Sequence, residues 1–113
     1  MAKLLSREDI LKTEDISRKR VDVKEWGGAV QLRQLSVDEV EGYEAFAATK
    51  PKSGLVARLL SLAVCDDEGN RIFKDEDVIA LGKKNSAVTV RLFKIASKMN
   101  ALSDVEAKEL EKN

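Results

Sequence analysis

The sequence predicts an α+β domain, predominantly α-helical, with an N-terminal β-hairpin packed on a bundle of about four to five helices. Two short runs, "RKRVDVKEW" and "AVQLRQL", alternate apolar and polar residues with the period of a strand and flank Gly27-Gly28. From Ser36 onward most of the chain instead follows helical spacing, divided by Pro51, Gly69 and Gly82. With 43% hydrophobic and 35% charged residues, a chain of 113 residues has the composition and length of one folded domain over residues 1–113.

Each element has a local cause. Ser6 followed by Asp9 is an N-cap pattern, and Ile10 and Leu11 supply the apolar side of a short helix over about 7–13. The hairpin is expected over about 19–35. In it Val21, Val23 and Trp26 point to one side of the first run, Val30, Leu32 and, after a slip, Leu35 to one side of the second, and Gly27-Gly28 take the positive φ angles of a tight turn. Trp26 is then expected to lie across the hairpin as a packing residue, with only the hairpin edge open to a partner. Ser36 and Glu39 form a capping box that opens a helix over about 37–49, ended by "TKPKSG". "GLVARLLSLAVC" is apolar almost all round apart from Arg58 and Ser61, the pattern of a central buried helix over about 54–65. "DDEGNRIF" is a turn leading to a short extended piece over 71–73. Asp75 then caps a brief helix over about 76–81 that Gly82 stops. Asn85 or Ser86 starts the last strong helix, about 86–101, and Ser103 with Glu106 opens a polar terminal helix over about 103–111.

What is missing narrows the chemistry. The chain has no histidine, and its single cysteine, Cys65, lacks a base to activate it and forms no intramolecular disulfide, which suits a reducing, cytoplasmic setting. No phosphate-binding glycine loop or nucleophile elbow occurs. The carboxylates of "DDEGN" lack the ligand spacing and closing glutamate of a calcium loop, so no metal or cofactor and no enzyme activity is expected. No apolar run is long enough to span a bilayer. Twenty basic residues balance twenty acidic ones, so no net field draws the chain to nucleic acid. The balance is uneven along the chain. Lys83 to Lys98 holds five basic residues and no acid, whereas Asp38 to Glu44 holds four acids and no base.

The helix from Ala87 to Leu102 carries the candidate contacts. Val88, Leu92, Ile95, Met99 and Leu102 recur at alternating steps of four and three, which is one core seam. Val90 and Phe93 lie off that seam, and Arg91, Lys94 and Lys98 form a basic row. Two readings are open. Both apolar faces pack inside one monomer, or Val90 and Phe93 belong to a partner contact. On the second reading the binding residues are Val90, Phe93, Arg91, Lys94, Lys98 and the hairpin edge at Trp26, and replacing Val90 and Phe93 with Asp leaves the fold intact. Complementary patches on one small chain also permit head-to-tail self-association into a homo-oligomer.

The order of segments has a parallel. "MAKLLSREDIL", the "WGGAV" hairpin running into "LRQLSVDE", "VCDDEGNRIFKDEDVIALGKK" and "LFKIASKMNALSDVEAKELEKN" together resemble the short tail assembly chaperones of lambda-like, long-tailed bacteriophages and their prophages. The resemblance implies a non-catalytic protein of the host bacterial cytoplasm that is absent from the virion. Such a protein binds the tape measure protein, keeps its hydrophobic helices soluble and helps recruit tail tube subunits. It further implies a longer form made by ribosomal frameshifting, and Glu111-Lys112-Asn113 can be encoded by a slippery heptamer. The rival readings are a minor tail or head–tail connector protein and a small nucleic-acid-binding regulator using the basic row.

Overall fold

The computed structural model describes residues 2–102. In chain order these form helix α1 (Arg7–Lys12), strands β1 (Arg18–Val23) and β2 (Gly28–Arg33), helices α2 (Val37–Ala48) and α3 (Leu55–Ala63), strand β3 (Val64–Cys65), and helices α4 (Val78–Leu81) and α5 (Ser86–Met99). Single 3-10 turns cover Lys24–Trp26 and Asp75–Asp77. The α+β architecture is the expected one. The terminal helix expected over 103–111 lies outside the described residues.

Three helix starts follow the side-chain chemistry anticipated for them. Ser6 caps α1, accepting from the Asp9 N–H, while the Asp9 carboxylate accepts from the Ser6 N–H, both at 3.1 Å. Ser36 and Glu39 repeat this reciprocal box at α2. Asn85, one of the two residues proposed for the role, caps α5 by accepting from the Val88 N–H.

The sheet is antiparallel in the order β1-β2-β3, and β1 pairs with β2 from Arg18 opposite Arg33 to Val23 opposite Gly28. Alternation therefore puts Val21, Val23, Val30 and Leu32 on one face, which packs on the helices, and Arg20, Asp22 and Gln31 on the other. The connection differs from the expected glycine pair. Lys24, Glu25, Trp26 and Gly27 together make the turn; Gly27 alone takes a left-handed φ of 76°, and Gly28 already belongs to β2. Trp26 thereby drops out of the strand alternation. At 36% exposure it is not the packing residue expected across the hairpin.

A second departure concerns the third strand. The helix expected over 54–65 stops at Ala63, and Val64 and Cys65 turn extended to pair with Leu32 and Gln31. The β-branched Val64 adds a buried side chain to the face that holds Leu32, which suits a strand better than a last helical turn. Beyond it, the "DDEGN" turn closes as anticipated. The Asp66 carboxylate accepts from the Glu68 and Asn70 N–H groups at 2.9 Å, Gly69 adopts a φ of 86°, and Arg71 forms a bridge back to Cys65. Arg18 ties this turn to β1 by donating to the Asp67 carbonyl at 2.6 Å. Gly82 ends α4 in a right-handed conformation, φ −64°, so it stops the helix without the left-handed geometry that favours glycine there.

The core lies where α3, α5 and the sheet meet, with Val23, Leu32, Leu59, Leu60, Leu92, Phe93 and Ala96 all at 1% exposure or less. The two polar interruptions of α3 are accommodated locally. Ser61, buried, donates to the Arg58 carbonyl, and the Arg58 guanidinium stacks 4.1 Å from the ring centroid of Phe46 on α2. One ion pair sits at the edge of this core: Arg33, 7% exposed, donates to both carboxylate oxygens of Glu39 at 3.0 and 2.7 Å. Burial pushes the Glu39 carboxyl up, but hydrogen bonds from Arg33 and the Ser36 backbone outweigh it and hold the group below its ordinary value of 4.5.

Two predictions follow from this packing. Phe93→Ala should cost about 3–5 kcal/mol of stability, the range for emptying a buried aromatic site, read by urea unfolding. Because the Glu39 pKa is depressed in the folded chain, its stabilisation is complete above the unfolded value and is lost as pH falls through the folded one. Thermal midpoints measured from pH 6 downward should therefore fall below about pH 4.5 in the parent and show a shallower fall in Glu39→Gln.

Candidate partner-binding site

Helix α5 divides the residues proposed for partner contact between its two sides. Phe93, 1% exposed, is part of the core, so of the two open readings the one that packs it inside the monomer holds for this residue, and it forms no exposed surface with Val90. The cause is geometric. The helix is covered by α3 and β2 together, so two apolar stripes are consumed where a single packing partner would consume one. Replacing Phe93 with Asp would put an unpaired charge in the core, and the Asp pair once expected to spare the fold would unfold it. Val90 is half-buried and faces a groove, while Arg91, Lys94 and Lys98 form the exposed row read from the sequence.

The hairpin turn reaches this row at its upper end. Glu25 accepts two hydrogen bonds from Arg91, at 2.9 and 3.1 Å, and Lys84 places its ammonium 5.7 Å from the Trp26 ring centroid. The hydrogen bond from Arg91 holds the Glu25 carboxyl below the usual carboxylate range, and the same contact raises the Arg91 pKa. Trp26 and Arg91, proposed separately, are thus brought together through Glu25 and Lys84. Lys94 and Lys98 lie one and two turns further along α5. Both members of the Glu25–Arg91 pair are wet, so it positions the turn and adds little stability.

Two grooves flank the helices. The first, about 740 Å³, runs between the α2–α3 connection, α4 and the start of α5. Leu55, Val56, Val78, Ile79 and Val90 give it an apolar lining, and its described charged residues are Lys50, Lys52, Lys83 and Lys84, with no carboxylate among them. The second, about 650 Å³, lies near the end of α5 and is bordered by Asp15, Glu41 and Glu44 around Ile16, Val37, Val40 and Met99. Opposite charges therefore frame two apolar hollows on one small chain. Apolar side chains also stand outside the core. Leu4 is 98% exposed, Leu11 67%, Val37 74% and Ile79 76%.

Neither groove was anticipated from the sequence. The charge runs at 38–44 and 83–98 were its only visible sign, because a groove depends on how α4 and the α2–α3 connection fold against α5. The uncovered N-terminal arm was more legible. Leu4, Leu5, Ile10, Leu11 and Ile16 precede the first strand within a segment too short to bury them. Among the described residues no group of acids and cysteine could hold a metal ion, and Cys65 is buried. No helix of the described residues is long and apolar enough to cross a membrane. Glu25→Gln should leave the unfolding midpoint nearly unchanged yet speed amide exchange over residues 24–27, and 0.5 M salt should do the same to the parent chain.

Comparison with known proteins places this architecture. No curated protein matches the chain. The tail assembly chaperone of bacteriophage HK97 has a similar solved structure, with a TM-score of 0.63 over 85% of this chain and 94% of that one at 19% sequence identity, a likeness of fold. The family described as phage tail assembly chaperone matches residues 2–100, nearly the whole of the described sequence, and the chain belongs to that family.

Proposed function

We propose that this protein binds the tape measure protein during tail assembly in the host cell, keeps its apolar helices soluble, helps recruit tail tube subunits, and is left out of the finished particle. It works without catalysis and in several copies. The observation that supports this reading is apolar surface left over after a complete core has formed: the lysine-framed groove with Val90 and Ile79, and the uncovered arm. A holding chaperone needs such grooves to receive the apolar face of a client helix, and needs no reactive group. The basic row of Arg91, Lys94 and Lys98 beside Trp26 complements acidic flanks of a client and speeds its capture.

Co-expression with the tape measure protein tests this. The tape measure protein should be soluble and co-purify with this chain and aggregate without it, and Val90→Asp with Ile79→Asp should lower the yield of complex roughly tenfold or more while the fold persists. Mass spectrometry of purified particles separates the connector reading, since a stoichiometric presence in the virion would overturn the chaperone assignment.

A further inference from the structure

The acid-framed hollow near the end of α5 has a formed floor and an uncompensated rim. Its polar floor residues are satisfied within the chain. The Gln34 amide accepts from the Ser17 N–H and donates to the Met99 carbonyl, and the Asn100 amide accepts from the Leu35 N–H and donates to the Ala96 carbonyl. What stays open is apolar: Ile16 and Val37 are 43% and 74% exposed, beside Val40 and Met99. The rim is Asp15, Glu41 and Glu44, and none of these side chains has an ion pair or hydrogen bond with another described residue. In the arm, by contrast, Asp9 pairs with Lys3 and Lys12, and Glu8 with Arg7. On α2 the arrangement opposes stability. Glu41 and Glu44 stand one turn apart, in a helix that carries four carboxylates and no base, and like charges at that spacing destabilise a helix.

We infer that this hollow is a second docking surface, for a partner helix whose apolar stripe is flanked by lysine or arginine. Val37, Val40, Glu41 and Glu44 follow one side of α2 for two turns, about 10 Å, so the hollow runs along a helix and suits a helical occupant better than a compact ligand. Three unpaired carboxylates around apolar side chains attract a basic helix and repel an acidic one. The floor amides are already engaged, so charge and apolar contact set the choice of occupant. The chain itself is a poor occupant. The basic row of α5 belongs to a helix whose apolar stripes are consumed by the core, and the cations of the arm already meet its own carboxylates. Residues 103–113 carry four carboxylates against two lysines. The partner is therefore another protein. This surface is separate from the lysine-framed groove proposed for the client above, and its charge preference is the reverse.

Fluorescence anisotropy with a labelled amphipathic peptide tests this on the full chain. The probe is a leucine–lysine helix of about four turns, and its control is the same peptide with every lysine replaced by glutamate. The lysine peptide should bind, with amide shift changes concentrated at residues 34–44 and 99–101, and about 0.5 M salt should weaken it severalfold. Glu41→Lys/Glu44→Lys should weaken binding roughly tenfold or more while keeping or raising the thermal midpoint, because it removes a like-charge repulsion within α2. Glu41→Gln/Glu44→Gln should fall in between, and Val37→Ser, which leaves every charge in place, should weaken binding as well. Ile79→Asp/Lys83→Glu, in the lysine-framed groove, should leave it nearly unchanged. Failure of the lysine peptide to bind, equal affinity for the glutamate peptide at the same residues, or unchanged affinity in Glu41→Lys/Glu44→Lys would each overturn the inference. So would shift changes centred on α4, or loss of binding in Ile79→Asp/Lys83→Glu. None of these readouts involves the tape measure protein, so the proposed function stands or falls separately, on its co-purification.

Discussion

The fold depends on one helix being packed from two directions. α5 lies between α3 and β2, and this is why Leu92, Phe93 and Ala96 are all inaccessible although they spread over more than one stripe of its surface. A chain this small, with a single free cysteine and no metal-holding group among its described residues, draws its stability from that shared core. Sheet residues Val23 and Leu32 and helix residues Leu59 and Leu60 are committed to the same volume. Residues that do not reach the meeting point of α3, α5 and the sheet cannot be buried elsewhere. The arm and the outer sides of α2 and α4 are left with exposed leucine, valine and isoleucine for that reason.

The Arg33–Glu39 pair then fixes how the sheet side meets α2. Glu39 does two things with one carboxylate: it completes the capping box at Ser36 and receives both guanidinium hydrogen bonds of Arg33. Helix start and strand end are thereby locked six residues apart, and the chain between them turns without a glycine. A buried pair of this kind is weak evidence for added stability, since its desolvation offsets much of its attraction. Its effect here is geometric. With Gln34 held to Ser17 and to Met99, and the Leu35 N–H to Asn100, it sets the junction from which the arm departs.

How far this was legible in the sequence depended on the range of the interaction concerned. Capping boxes, strand alternation and the Asp66–Asn70 turn act within a few residues, and the elements they specify formed where expected. Val64-Cys65 was misread as the end of a helix because its pairing partners, Leu32 and Gln31, lie more than thirty residues earlier. Whether Phe93 packs inside the monomer or faces a partner stayed open, because periodicity alone does not reveal that α5 packs on two neighbours. Trp26 lost its packing role to a turn of four residues in place of two, a difference of backbone geometry that the glycine pair alone does not encode. Of the candidate contacts, the basic row survived as a row, because exposure of Arg91, Lys94 and Lys98 follows from helical phase alone.

The separation of charge on a chain with no net charge bears on how such surfaces can work. An apolar hollow framed only by lysines admits acidic helices and disfavours basic ones, so discrimination comes from the frame while affinity comes from the floor. The second hollow, framed by Asp15, Glu41 and Glu44, has the opposite preference. Two hollows of opposite sign on one chain with no net charge thus select by the charge of what approaches them. Because both frames are wet, added salt screens the discrimination before it weakens the apolar contact.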